Sequence, residues 1–73
     1  MAKIDMYFKK DLSRPLFVPH YFVNTNDQLR IYDIVLEHTD SHVMASEVSG
    51  WAPMAGIDEK YDTDDICATI VFN

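Results

Sequence analysis

The sequence predicts an α+β fold: a small single-domain sheet, mostly antiparallel, of about four strands, with one short helix and a long acidic loop. Three observations lead there. Residues 3–9 place Ile4, Met6 and Phe8 on one side and Lys3, Asp5, Tyr7 and Lys9 on the other, the period-2 pattern of a half-buried strand. The closing run ICATIVFN is apolar and β-branched, suited to a strand near the sheet centre. Between them, WAPMAGIDEKYDTDD combines Pro53 and Gly56 with five acids and predicts a long loop, a kind of segment that is usually functional or mobile.

The remaining elements follow from local chemistry. KDLSRP at residues 10–15 breaks the alternation, and Pro15 pushes Arg14 into extended backbone, which makes a connection. Residues 16–23 are extended and aromatic, but Pro19 has no N–H for a ladder, so they predict a bent outer strand. Asn24, Thr25, Asn26 and Asp27 form the strongest turn signal of the chain and predict a hairpin. After it, residues 29–37 pose a choice. Asn26 or Asp27 is able to cap a helix there, whereas Ile31, Ile34 and Val35 are stiff at χ1 and favour a pleated strand; the strand is preferred, with the helix as alternative. Thr39, Asp40 and Ser41 start a two-turn helix, HVMASEVS, with Val43, Met44 and Val48 inward and Gly50 past its end. A second hairpin strand over 42–48 competes with that helix.

Seventy-three residues make one domain, 1–73, and a chain of this size buries only roughly 60% of its unfolded surface, so the core is thin. With Cys67 alone no intrachain disulfide forms, which fits a reducing cytoplasm. The opening MAKIDMYFKK lacks the apolar stretch of a secretory signal, and no run is long enough to span a membrane. The net charge of −6 opposes direct contact with nucleic acid. Charge is also unevenly spread. Residues 1–14 carry Lys3, Lys9, Lys10 and Arg14 against Asp5 and Asp11, while residues 27–65 carry ten acids against Arg30 and Lys60, which points to a protein partner with a basic surface.

Chemical motifs are sparse. His38 and His42 stand four apart, a spacing that serves metal sites on a helix, but EHTDSH lacks the HExxH arrangement, and ordinary turn-flanking histidines are the leading reading. His20 is a lone histidine near an edge strand. The acids Asp58, Glu59, Asp62, Asp64 and Asp65 fail as a calcium loop, because Lys60, Thr63 and Thr69 occupy positions that need an acid, a glycine and a glutamate. They remain a solvated loop or a docking surface for basic side chains, with Tyr61 among them as an amphipathic contact. Trp51, followed by Met54, is a core plug first and a partner anchor second. Cys67 lies mid-strand without a local base, the serines lack nucleophile motifs, and two glycines make no phosphate loop.

If residues 29–37 are a strand with apolar groups on both faces, one short helix leaves part of the sheet uncovered, and the loop, a second copy or another protein must cover it. Residues 3–9, taken as an exposed edge, offer a place for a partner strand. Both considerations favour a noncatalytic binding module. The opening MAKIDMYFKKDLSRP, with the length and acidity of the whole chain, resembles the small transcription regulators that phages encode, in particular that of a Xanthomonas-infecting phage. The resemblance implies a regulator that binds the large subunits of host bacterial RNA polymerase in the host cytoplasm, inhibits initiation by displacing the σ factor and promotes antitermination. It carries over no catalytic residue, cofactor or small-molecule substrate. The contact surface expected from the residues is Trp51, Met54, Asp58, Glu59, Tyr61, Asp62, Asp64 and Asp65. The alternatives are an acidic mimic of nucleic acid directed at another host protein, and a small metal-binding protein or metal-dependent enzyme using His38 and His42.

Overall fold

A computed structural model describes residues 2–9 and 20–71. In chain order these form strand β1 (Lys3–Phe8), strand β2 (Tyr21–Asn24), helix α1 (Gln28–Thr39), helix α2 (His42–Trp51), a 3₁₀ turn (Ala52–Met54), strand β3 (Lys60–Asp62) and strand β4 (Ile66–Val71). The four strands make one antiparallel sheet in the order β2-β1-β4-β3, and both helices cover one of its faces.

Alternation in β1 and β4 builds the centre. Ile4 lies opposite Ile70, Met6 opposite Ala68 and Phe8 opposite Ile66, and all six are buried under the helices. Burying each of the larger side chains contributes roughly 1.5–3 kcal/mol. Because β1 pairs on both sides, it is not the exposed edge expected from its sequence; β2 and β3 are the edges. The predicted outer strand at residues 16–23 survives as β2 in its second half, whereas residues 10–19, with the predicted connection, lie outside the described residues.

Residues 29–37 are helical, a correction to the preferred strand. The β-branched residues that suggest a strand fall at positions 31, 34 and 35, the i, i+3, i+4 spacing of one helix face, and all three are buried. Arg30, Asp33 and Glu37 point to solvent. The Asp27 carboxylate accepts from the Arg30 N–H at 3.4 Å and caps the start, so the 24–27 turn leads into a helix instead of a hairpin. At the other end Asp40 takes a left-handed conformation (φ 54°) and donates its N–H to the Leu36 carbonyl at 2.9 Å. Packing thus overrides a modest χ1 penalty.

The one short helix expected is present as α2, the second of two helices, opened by Ser41, whose hydroxyl accepts from the Met44 N–H at 3.1 Å. It buries Ala45, Val48 and Ser49 and half-buries Met44, while Val43, expected inward, is 70% exposed. Gly50 continues the helix and does not end it. Gln28 Nε2 donates to the Ser49 carbonyl at 3.0 Å, joining the start of α1 to the end of α2, so the two helices run antiparallel. Ser41→Ala is expected to lower stability by about 1 kcal/mol in urea titration, through loss of the cap between the helices; an unchanged midpoint would show that the cap is redundant.

The long acidic loop is the other correction. Residues 51–65 contain the last residue of α2, the 3₁₀ turn and β3. A three-residue strand with one inward residue, Tyr61, shows too little alternation to be seen in sequence.

Candidate functional site

The sequence-predicted contact residues cluster around β3, and the structure gives them different roles. Trp51 is half-buried at the end of α2, packed against the core with its ring centroid 5.8 Å from that of Tyr61. The Tyr61 hydroxyl donates to Glu47 Oε2 at 2.6 Å. Trp51, Tyr61 and Glu47 therefore bind α2 to the edge strand, with the tryptophan packed against the core. Burial, with the hydrogen bond and negative charge of Glu47 behind it, pushes the Tyr61 phenol up to about 12 from an ordinary 10. The unfolded chain ionises this group first, so its stabilising effect is complete below pH 10 and is lost as pH rises through 12. Thermal melts of wild type and Tyr61→Phe are expected to diverge over that range; parallel pH profiles would contradict this coupling.

Met54 is 87% exposed, and Ile57, further along the same segment, is 47% exposed. Sequence reasoning missed the second of these exposed apolar residues, since an isolated isoleucine between a glycine and an acid carries no periodic signal. A β-bulge aims the adjacent acids. Asp58, at φ 70°, donates its N–H to the Ile70 carbonyl at 2.8 Å, while the Glu59 carbonyl accepts from the Ile70 N–H at 3.0 Å. Two residues thus oppose one, which is the definition of a bulge, and both Asp58 and Glu59 are exposed directly after Ile57 in the chain.

The other acids lie elsewhere. Asp64 is exposed and Asp65 half-buried in the β3–β4 turn, where the Thr63 hydroxyl accepts from the N–H groups of Asp65 and Ile66 at 3.2 Å each. Since Asp58 and Glu59 flank Ile70 and Asp65 precedes Ile66, strand rise alone separates the two acidic ends by about 13 Å. Between them Asp62 turns to the open face of the sheet and is neutralised by Lys9. That contact raises the ammonium pKa of Lys9.

The sheet face away from the helices is mixed in character. Register aligns Phe22, Asp5, Thr69 and Lys60 in one row and Tyr7, Cys67 and Asp62 in the next. His20 pairs through Nδ1 with Asp5 at 2.8 Å and lies against the Tyr7 ring. The phenol of Tyr7 is shifted upward, first by its hydrogen bond with Cys67 and then by the charge of that group. The need for an outside cover, inferred from a two-sided central strand, dissolves once residues 29–37 are a helix with one buried face.

His38 and His42 do not converge. His38, in the last turn of α1, stacks on Phe8 (4.3 Å, 11°) with Nε2 2.7 Å from the Tyr21 hydroxyl. His42, at the start of α2, places Nδ1 2.6 Å from the Tyr32 hydroxyl. No group of three His, Cys, Asp or Glu side chains able to hold a metal ion exists among the described residues, and none of their helices is long and apolar enough to cross a membrane. No family model matches the chain, and no curated protein or solved structure gives a significant match.

Proposed function

We propose that this chain is a noncatalytic, phage-encoded regulator that binds host bacterial RNA polymerase through its large subunits, inhibiting initiation by displacing the σ factor and promoting antitermination. The resemblance of MAKIDMYFKKDLSRP, together with the length and net charge of −6, supports the choice of partner. The observation that carries a docking role is the exposure of Met54 and Ile57, two apolar residues of one short segment, followed directly by exposed Asp58 and Glu59. An apolar centre with a charged rim is the anatomy of a protein contact, and the carboxylates favour a basic partner surface. A continuous mimic of nucleic acid is less well served, because Lys9 neutralises Asp62 between the two acidic ends.

Titration of purified polymerase holoenzyme with this chain tests the proposal. Calorimetry is expected to give saturable binding that weakens with salt, and a native gel is expected to show σ released as the chain is added. Absence of heat at micromolar concentrations, or binding that leaves σ in place, would refute the proposal in whole or in its σ-displacement step.

A further inference from the structure

On the opposite edge of the sheet from β3, strand β2 and helix α1 border a groove of about 310 Å³. Its walls include Phe22 and Asn24 from β2, Lys3 from β1, and Asp27, Arg30 and Ile34 along one side of α1. Two features distinguish it in a chain of net charge −6. The first is charge: Lys3 and Arg30 both border the groove, and neither side chain has an ionic partner among the described residues. Asp27, the acid beside them, already directs its carboxylate to the Arg30 backbone N–H.

The second feature is backbone. The Thr25 N–H donates to the Ala2 carbonyl at 3.2 Å, which fixes the phase of the β1–β2 ladder. Hydrogen-bonded positions alternate along an antiparallel pair, so Tyr21 and Val23 bond inward to β1, while Phe22 and Asn24 direct their backbone groups outward. The Asn24 carbonyl is taken by the Asp27 N–H at 3.0 Å. Among the described residues that leaves the N–H and carbonyl of Phe22 and the N–H of Asn24 without a backbone partner and directed away from β1.

We infer that this edge is a second binding site, independent of the polymerase reading, which takes an extended peptide segment bearing an acidic side chain. The segment adds as a fifth strand, exchanging backbone hydrogen bonds with Phe22 and Asn24. Its side chains alternate. One set enters the groove, with a small β-branched residue toward Ile34 and a carboxylate two positions away on Arg30. The other set lies on the open face beside Phe22, which is 63% exposed, and Lys3. A neutral or basic segment makes the same backbone bonds but leaves Arg30 unpaired, so charge supplies the selection.

A randomised heptapeptide display library, selected on the full chain and followed by fluorescence anisotropy of the enriched peptides, tests this site. Enriched sequences are expected to carry a β-branched residue and an Asp or Glu two positions apart. Arg30→Glu is expected to weaken them at least about tenfold and Lys3→Ala about threefold, with Lys60→Ala, on the opposite edge of the sheet, as a neutral control. Both substituted residues are exposed, so the fold is retained, and circular dichroism verifies it. A measurement that leaves the protein untouched is N-methylation of alternate peptide residues, which is expected to abolish binding in one phase and spare it in the other. Enrichment without acids, affinity indifferent to Arg30→Glu, equal tolerance of both methylation phases, self-association through β2 in place of peptide binding, or no enriched peptide at all would each overturn the inference.

Discussion

Phe8→Ala is expected to leave most of the chain unfolded at physiological temperature. Phe8 is 2% exposed at the end of β1, opposite Ile66, and it stacks on His38 while meeting the edge of Tyr21. Truncating a buried phenylalanine costs about 3–5 kcal/mol, and a domain of this size has a total stability on the order of 5 kcal/mol. The His38 contact to Tyr21 also loses the ring on which it rests, so β2 and α1 are expected to loosen together. Urea unfolding followed by circular dichroism measures the loss, and a cost below about 1 kcal/mol would mean that this aromatic cluster is peripheral to the fold.

A second large effect is expected at the docking surface. Met54→Glu combined with Glu59→Lys is expected to weaken polymerase binding on the order of a hundredfold, by placing a charge at the apolar centre and reversing one on its rim. Neither residue is buried, so the melting temperature is expected to change little. Asp64→Lys, about 13 Å away at the far end of β3, is the informative comparison. A milder loss there places the contact around the bulge, whereas equal losses extend it along the strand. Trp51→Ala is a poor probe of binding, because that ring packs against the core and Tyr61 and its removal lowers stability as well. Unchanged affinity in the Met54 and Glu59 variant by calorimetry would remove this surface from the proposal.

The parts of the fold legible in sequence are those where one physical pattern acts alone. In β1 and β4 six residues alternate without interruption, and each strand has one face in the core. Ser41 marks the start of α2 because a hydroxyl cap is a local device. Helix α1 was obscured by a conflict between levels. Ile31, Ile34 and Val35 prefer a strand one at a time, and only their spacing together with the Asp27 and Asp40 caps gives the helix. Strand β3 has a single inward side chain, held by partners contributed from α2. The site follows the same division. The acids and Met54 were visible as a composition, but their separation into two ends depends on the register of β3 and on the bulge at Asp58, which has a positive φ. The convergence of Lys3 and Arg30 was hidden for a related reason, since Arg30 borders β2 only once its segment is helical.

The central pairing of β1 with β4 sets Lys3 opposite Val71 and Phe8 opposite Ile66, so the middle of the sheet is made from segments far apart in the chain. During synthesis on the ribosome, β1, β2 and the helical pair emerge well before β4, and until it arrives one long edge of β1 has no partner. Contacts of such sequence separation form late and slowly, and an open strand edge in the interval invites pairing with other chains. The partly folded chain is therefore most exposed to aggregation while residues 66–71 have yet to pair with β1, and any delay in that pairing lengthens the hazard.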